Sequence, residues 1–483
     1  QQQQQQQQQR MPPAPPAAQR AAVNPHARTS STTRAALSGK RFDSLAISPQ
    51  CKHAIAHVLG YETMTKCQAE SIPISLRGGD VLCKAKTGTG KTLAFLIPSC
   101  ELAMRVPPAQ RRGNISILIV SPTRELATQI ATEASQLISS MGLSIVTVFG
   151  GTNIAKDKRS FASSAPDILV ATPGRLNDHL ENHGLQRMMQ RMQCLIFDEA
   201  DQMLEMGFRP AITKMLKMLP PKTSRQTLLF SATMPGSILG IAQFALRDQY
   251  DSIDCVGAEQ STHARVPQTC IVHPVKQQFV ELGLVLQEGM QVADYKIIVF
   301  FTTARLTQLA SEIFNKIAGF DVLEIHSRKS QSHRTKVSAK FREGRSVIMF
   351  TSDVTARGMD YPDVSKVVQV GLPSDKAQYI HRLGRTARAG KGGNGVLLLV
   401  QDEARYFMPQ LLKDQPIKQA AGATAADMAK YGPVIERAIR ATDDKTIGMA
   451  YVSLLSLPSR CKIAILSRRS PLTSPPPPPL PPP

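Results

Sequence analysis

Short runs of apolar and β-branched residues alternate along this chain with longer stretches whose apolar positions recur at helical spacing. Runs at 115–120, 168–170, 194–197 and 227–230 form one series, and runs at 296–301, 347–350, 366–370 and 395–400 form a second. Strands of this kind spaced by helices predict parallel sheets. The expected fold is α/β, with two doubly wound parallel-sheet domains at 42–250 and 267–403 and a linker at 251–266. Ligands in such domains bind at the carboxyl ends of the strands, so a cleft between the domains is the expected site. A helical extension over 404–458 follows, and Gly432-Pro433 predicts a break into two helices there.

The ends have a different composition. Residues 1–41 open with a glutamine run and continue in Pro, Ala, Ser and Arg, a mixture that predicts disorder. The segment holds no acid, which fits an organellar transit segment or a flexible basic arm. Residues 459–483 end in SPPPPPLPPP, a polyproline II tail. The formal net charge of +21 over 483 residues points to a polyanionic partner, nucleic acid being the commonest. The two tails carry ten Lys/Arg and no acid, which leaves +11 for the folded middle. No apolar run approaches the ~18 residues of a membrane span. The eight cysteines are scattered without a C-x-x-C pair, so buried free thiols are expected rather than a zinc site or a disulfide framework.

Chemistry is concentrated in two motifs. VLCKAKTGTGKT, 81–92, reads as strand, glycine-rich loop and helix. Gly88 and Gly90, flanked by Thr87 and Thr89, let backbone N–H groups turn toward phosphate oxygens. Lys91 can reach the β- and γ-phosphates of a nucleoside triphosphate, and the Thr92 hydroxyl can ligate Mg2+. Ala85 stands where the general phosphate-loop pattern has its first glycine. In CLIFDEAD, 194–201, an apolar strand ends in acids. Asp198 is placed to hold Mg2+, and Glu199 to orient and polarise the attacking water.

In these motifs the chain resembles the DEAD-box RNA helicases over about 42–400. The resemblance implies two tandem RecA-like domains, ATP and Mg2+ as cofactors, RNA as partner, and a monomer. GYETMTKCQ, 60–68, resembles the family's adenine-reading Q motif, with Phe42 at the spacing of its aromatic partner and Gln68 as the reader. Ser231 and Thr233 lie in an SAT motif that couples hydrolysis to strand separation in the family. HRLGRTARAG, 381–390, resembles motif VI and implies Arg385 and Arg388 as arginine fingers. There His381 and Arg382 are expected to tie the domains together and sense the acids of DEAD. Ala387 replaces a commoner glycine in this motif, with little expected effect. In TSDVTARGMD, 351–360, Asp360 implies a ribose contact, Gly358 a close backbone approach and Thr351 an RNA phosphate contact.

The implied RNA track comprises Pro122, Thr123 and Arg124, then Gly150 and Gly151, then Thr172, Pro173, Gly174 and Arg175, and in the second domain Gln331 and Arg334. Small residues, backbone amides and arginines suit phosphate and sugar contacts. The chain has no Trp and 8 Tyr, so base stacking is not its evident device and little sequence preference is expected. The resemblance implies RNA-stimulated ATP hydrolysis driving local, non-processive unwinding. An ATP-gated RNA clamp serving as an assembly scaffold uses the same motifs. Stretches such as DYKIIVFFTTA and EIHSRKSQSHR resemble plant helicases related to fungal mitochondrial splicing chaperones. That likeness implies a mitochondrial or chloroplast role on introns or ribosomal RNA, with nucleus or cytoplasm as the alternative.

Overall fold

A computed structural model describes residues 37–86, 88–256, 266–353, 361–387, 392–406, 408, 412–413 and 415–455. The first sheet holds β3 (Val81–Lys84), β4 (Ile117–Val120), β5 (Ile145–Val148), β6 (Ile168–Ala171), β7 (Cys194–Phe197), β8 (Gln226–Ser231) and β9 (Asp251–Asp254). Their order is β5-β6-β4-β7-β8-β3-β9, parallel throughout. The second sheet holds β10 (Gln268–His273), β11 (Lys296–Phe301), β12 (Val322–Ile325), β13 (Val347–Thr351), β14 (Lys366–Val370), β15 (Asn394–Val400) and β16 (Ile417–Ala420). It runs β12-β13-β11-β14-β15-β10-β16, also parallel.

Both sheets are packed on both faces. Ile117, Ile119, Ile196 and Phe230 face one core of the first domain, while Leu118, Val120, Leu195 and Phe197 face the other. Alternate residues of one strand therefore serve two separate cores, so the central strands are apolar without interruption. Asp80, fully buried, accepts from Thr227 N at 3.0 Å and Arg247 Nε at 2.9 Å, fastening β8 to the turn before β3.

Four boundaries depart from the sequence expectation. Residues 37–41, read as part of a disordered segment, form β1 (Leu37–Arg41) against β2 (Thr63–Thr65). Residues 251–254, read as linker, form β9 at the sheet edge, where only Ile253 of the four is buried. Residues 257–265 of that linker lie outside the described residues. The 404–458 extension is not purely helical, because β16 adds to the edge of the second sheet beside β10. Finally, Gly432-Pro433 does not split a helix: Ala425–Arg440 runs through it. Pro433 removes one hydrogen bond, while Ile435 and Ala438 pack into the second-domain core beyond it, and tertiary burial outweighs the local loss. The next helix, Asp444–Leu455, lies on the helix Ala304–Phe314, with Ser453 Oγ 3.0 Å from Thr303 Oγ1.

Candidate nucleotide site and the neighbouring strand ends

The phosphate loop follows β3, and its conformation requires glycine at two places. Gly88 and Gly90 have φ of 80° and 79°, in the left-handed region. At Gly90 a Cβ would also collide with the Gln68 amide. Gln68 is buried and uses one amide N–H and one lone pair within the protein: Nε2 donates to Gly90 O at 3.0 Å, and Oε1 accepts from Thr65 N at 2.8 Å in a capping box. Thr65 Oγ1 donates to Thr89 O at 2.7 Å. Gln68, expected to read adenine, thus also braces the phosphate loop. Phe42 is buried in the first-domain core cluster that also takes in Met64 and Cys67. Thr87 lies outside the described residues, and Thr92 sits in the first turn of the helix Lys91–Met104.

Beside this loop, β7 delivers Asp198 and Glu199. Lys91 Nζ lies 2.6 Å from Glu199 Oε1 and 3.9 Å from Asp198 Oδ1, and all three side chains are nearly inaccessible. Glu199 takes φ 53°, which turns its carboxylate back toward Lys91 at some backbone cost. Burial acts against the Lys91 ammonium, but Glu199 and Asp198 outweigh it and hold Lys91 above its ordinary range. Burial, reinforced by repulsion from Glu199 and Asp201 and opposed by Lys91, pushes the Asp198 carboxyl up to about 7. Asp198 Oδ1 and Glu199 Oε2 are buried and accept no hydrogen bond among the described residues. One lysine facing three carboxylates, with two oxygens unsatisfied, fits a divalent cation and phosphate.

The strand next door carries the coupling residues. Thr233 donates to Asp201 Oδ2 from both its backbone N, at 3.0 Å, and its Oγ1, at 2.9 Å. Ser231 Oγ donates to Thr233 O at 2.7 Å, and Ala85 N donates to Ser231 O at 2.9 Å. The end of β8 is thereby linked to both the phosphate loop and the last acid of DEAD. Asp201 had no role in the sequence reading, although it stood within the quoted motif.

The expected RNA residues also lie at strand ends, with unequal exposure. Gly151, φ 77°, is so close to Arg124 that a Cβ would collide with its guanidinium. This brings the strand ends of β4 and β5 together, with Gly150 alongside. Pro122 and Thr123 are buried, and Thr123 Oγ1 caps the helix Arg124–Leu137 by accepting from Leu126 N at 3.3 Å. Thr172 and Pro173 are buried, and Gly174 is exposed. Arg175 turns inward, donating to Asp157 Oδ2 at 2.9 Å and to Thr152 O at 2.7 Å. Its observed contacts hold the Gly150-Gly151 loop in place. Thr351 is buried at the end of β13, its Oγ1 donating to Ser352 O at 2.9 Å.

In the second domain, Arg334 lies 2.6 Å from Glu125 of the first domain, and Gln331 Nε2 donates to the same carboxylate at 3.1 Å. Arg382, expected to tie the domains together, instead forms a two-armed ion pair with Asp353 of its own domain, at 2.8 and 3.0 Å. Its guanidinium also stands over the Phe300 ring. Arg385 is buried, with Nε donating to His381 O at 3.3 Å. Arg388, Gly358 and Asp360 lie outside the described residues. Ala387 has φ 51°, a conformation that favours glycine, so its replacement of the commoner residue carries strain.

Comparison with known proteins decides the family. The DEAD/DEAH box helicase family model matches residues 65–240, and the helicase conserved C-terminal domain matches 278–390. The chain is 44% identical over 426 residues to DEAD-box ATP-dependent RNA helicase 25 of Oryza sativa subsp. japonica, covering 87% of this chain and 70% of that protein. This chain belongs to the DEAD-box ATP-dependent RNA helicases. DEAD-box ATP-dependent RNA helicase 26 of the same organism is 45% identical over 423 residues, covering 87% of this chain and 77% of its own length. Among solved structures, Mss116p bound to single-stranded RNA and AMP-PNP superposes with a TM-score of 0.77 at 29% identity, covering 86% of this chain and 85% of that one. The DEAD-box family consists of ATP-hydrolysing enzymes, and the tandem RecA-like fold is the one expected.

Proposed function

We propose that this DEAD-box chain uses RNA-stimulated ATP hydrolysis, with Mg2+, to open short RNA duplexes locally and without processive travel. The observation that carries the reading is that the carboxyl ends of one sheet's strands hold both chemistries. Lys91, Asp198 and Glu199 stand at its centre, and Arg124 with Gly150 and Gly151 stands beside them. The helix that begins at Arg124 also carries Glu125, which holds the second domain through Arg334.

Backbone N–H groups at Gly88 and Gly90 cradle phosphate, and Lys91 neutralises the β- and γ-phosphates. Asp198 and Thr92 are the residues that would hold Mg2+, which supplies charge neutralisation on the phosphates. Glu199 orients the attacking water and draws on its proton. Arg385 and Arg388 bring positive charge from the second domain to the transferring phosphoryl group, so the site is complete only when the domains close. Thr233, bonded to Asp201, relays movement of the site to the strand ends that meet RNA. Contacts made by backbone, glycines and arginine predict affinity for RNA backbone with little sequence preference.

We also infer an organellar compartment, supported by the likeness of DYKIIVFFTTA and EIHSRKSQSHR to plant helicases related to fungal mitochondrial splicing chaperones, and localising a fluorescent fusion tests it. The catalytic part is tested by strand displacement from a short RNA duplex. ATP-dependent release with repeated turnover is expected. A stable RNA complex that forms with ATP but neither turns over nor releases strand contradicts unwinding and identifies a clamp.

A further inference from the structure

Behind the phosphate loop, three cysteines from separate elements converge. Cys67 lies at the start of the helix Lys66–Leu76, Cys83 on β3, and Cys255 immediately after β9. The Sγ atoms of Cys67 and Cys83 are 3.7 Å apart, those of Cys83 and Cys255 are 4.0 Å apart, and all three lie within 4.8 Å of one another. Cys255 Sγ donates to Glu70 Oε2 at 3.6 Å, and Glu70 is one helical turn beyond Cys67. Cys67 and Cys83 are buried, Cys255 is half-buried and Glu70 is exposed, so the cluster opens to solvent on its carboxylate side.

We propose that Cys67, Cys83 and Cys255 form a binding site for a soft divalent cation of the zinc class, which Glu70, now beside Cys255 alone, completes as fourth ligand by turning toward the metal. Metal–sulfur bonds of about 2.3 Å in a tetrahedron place sulfurs roughly 3.8 Å apart, close to the spacings here. A disulfide needs about 2.05 Å between sulfurs, so no pair is bonded as it stands. Three sulfurs and one carboxylate are a donor set that zinc accepts and magnesium does not. Binding releases up to three thiol protons to solvent as the metal–sulfur bonds form. The resulting negative charge is offset by lysines already acting on the cluster: Lys91 on Cys67, and Lys66 and Lys40 on Glu70.

The expectation of free thiols rested on spacing along the chain, whereas this site is assembled by the parallel pairing of β9 with β3 and by the helix beside them. Its position gives it leverage on the enzyme. Cys67 adjoins Gln68, Cys83 lies on the strand that feeds the phosphate loop, and Cys255 stands at the end of the first sheet. A bound cation would therefore pin three elements that meet at the nucleotide site.

The experiment titrates the reduced, chelator-treated full chain with Co2+, a spectroscopic stand-in, and then with Zn2+. A single equivalent of Co2+ is expected to produce thiolate-to-cobalt charge-transfer bands with the intense d–d absorption of a tetrahedral centre, and Zn2+ is expected to abolish both. Cys255→Ser loses these bands, whereas Cys51→Ser and Cys461→Ser keep them. Zn2+ raises the melting temperature of the wild type and leaves that of Cys255→Ser unchanged. An octahedral cobalt spectrum, an absence of charge-transfer bands, or bands that persist in Cys255→Ser overturns the proposal. The partly exposed position of Cys255 makes the serine variant a mild change, and a cooperative unfolding transition of the metal-free variant, matching that of the metal-free wild type, serves as the check that it folds.

Discussion

Arg334 places its guanidinium 2.6 Å from the carboxylate of Glu125, so a buried ion pair joins a helix of one RecA-like domain to a helix of the other. Burial pulls Arg334 below its ordinary value, and Glu125 opposes that pull. The pair runs through Nη2, and Nε finds no hydrogen-bond partner among the described residues. Removing one member of such a pair leaves a buried charge unpaired, at a cost of about 2–5 kcal/mol. Arg334→Met is therefore expected to weaken ATP-dependent RNA binding by ~30-fold or more while each domain keeps its own melting transition. Adding Glu125→Gln to that variant should cost much less than the sum of the two single changes. Additive losses in the double-mutant cycle would show that the pair does not hold the domains together.

Glu199→Gln should retain binding of ATP and RNA and lose about 10²–10⁴-fold in turnover, as expected for removal of a general base. Lys91→Ala should instead lose nucleotide affinity, because the buried counter-charge of Glu199 and Asp198 then meets phosphate alone. Equilibrium nucleotide binding and single-turnover hydrolysis separate the two effects. Equal loss of binding in both variants would contradict the division of roles.

Ala387 sits at φ 51°, where an alanine side chain crowds its own backbone. Ala387→Gly is expected to raise stability by up to about 1 kcal/mol, the strain relieved being partly offset by the greater freedom of glycine in the unfolded chain. Urea midpoints of the two proteins measure it, and a lower midpoint for the glycine variant contradicts the strain.

His273 is buried, its Nδ1 3.0 Å from Pro274 O and its Nε2 without a partner among the described residues. Burial holds it below the ordinary histidine value of 6.5. The unfolded chain therefore binds a proton that the folded one refuses, and stability falls as pH drops below 6.5. His179, lowered first by burial and partly restored by Asp157, acts in the same direction. Urea unfolding at about pH 7.5 and about pH 5.5 should show a smaller difference for His273→Gln than for the wild type. An unchanged difference removes His273 from the acid response.

Central strands such as β4, β6 and β7 were legible because each is a continuous apolar run, whereas β10, QTCIVH, carries polar residues at both ends and was not. The edge strands β9 and β16 were not, since their residues are mostly polar and their pairing is set by β3 and β10. The phosphate loop and the DEAD acids were legible because their chemistry is local in sequence. Glu125 against Arg334, Asp157 behind Arg175 and Asp353 beneath Arg382 were not, because each pairs residues that only the tertiary fold brings together. Arginines that look alike in sequence thus divide in the structure: Arg175 and Arg334 are committed to buried carboxylates and Arg382 to the part-exposed Asp353, whereas Arg124 lies against the glycine turn at Gly151.

The most direct test is steady-state ATP turnover by the full chain with RNA withheld and then added, for the wild type and for Arg385→Ala. RNA should raise wild-type turnover many-fold, and Arg385→Ala should lose that rise while binding RNA normally in the absence of nucleotide. Equal turnover with and without RNA, or an Arg385→Ala enzyme still stimulated like the wild type, would contradict a nucleotide site completed by RNA-driven domain closure.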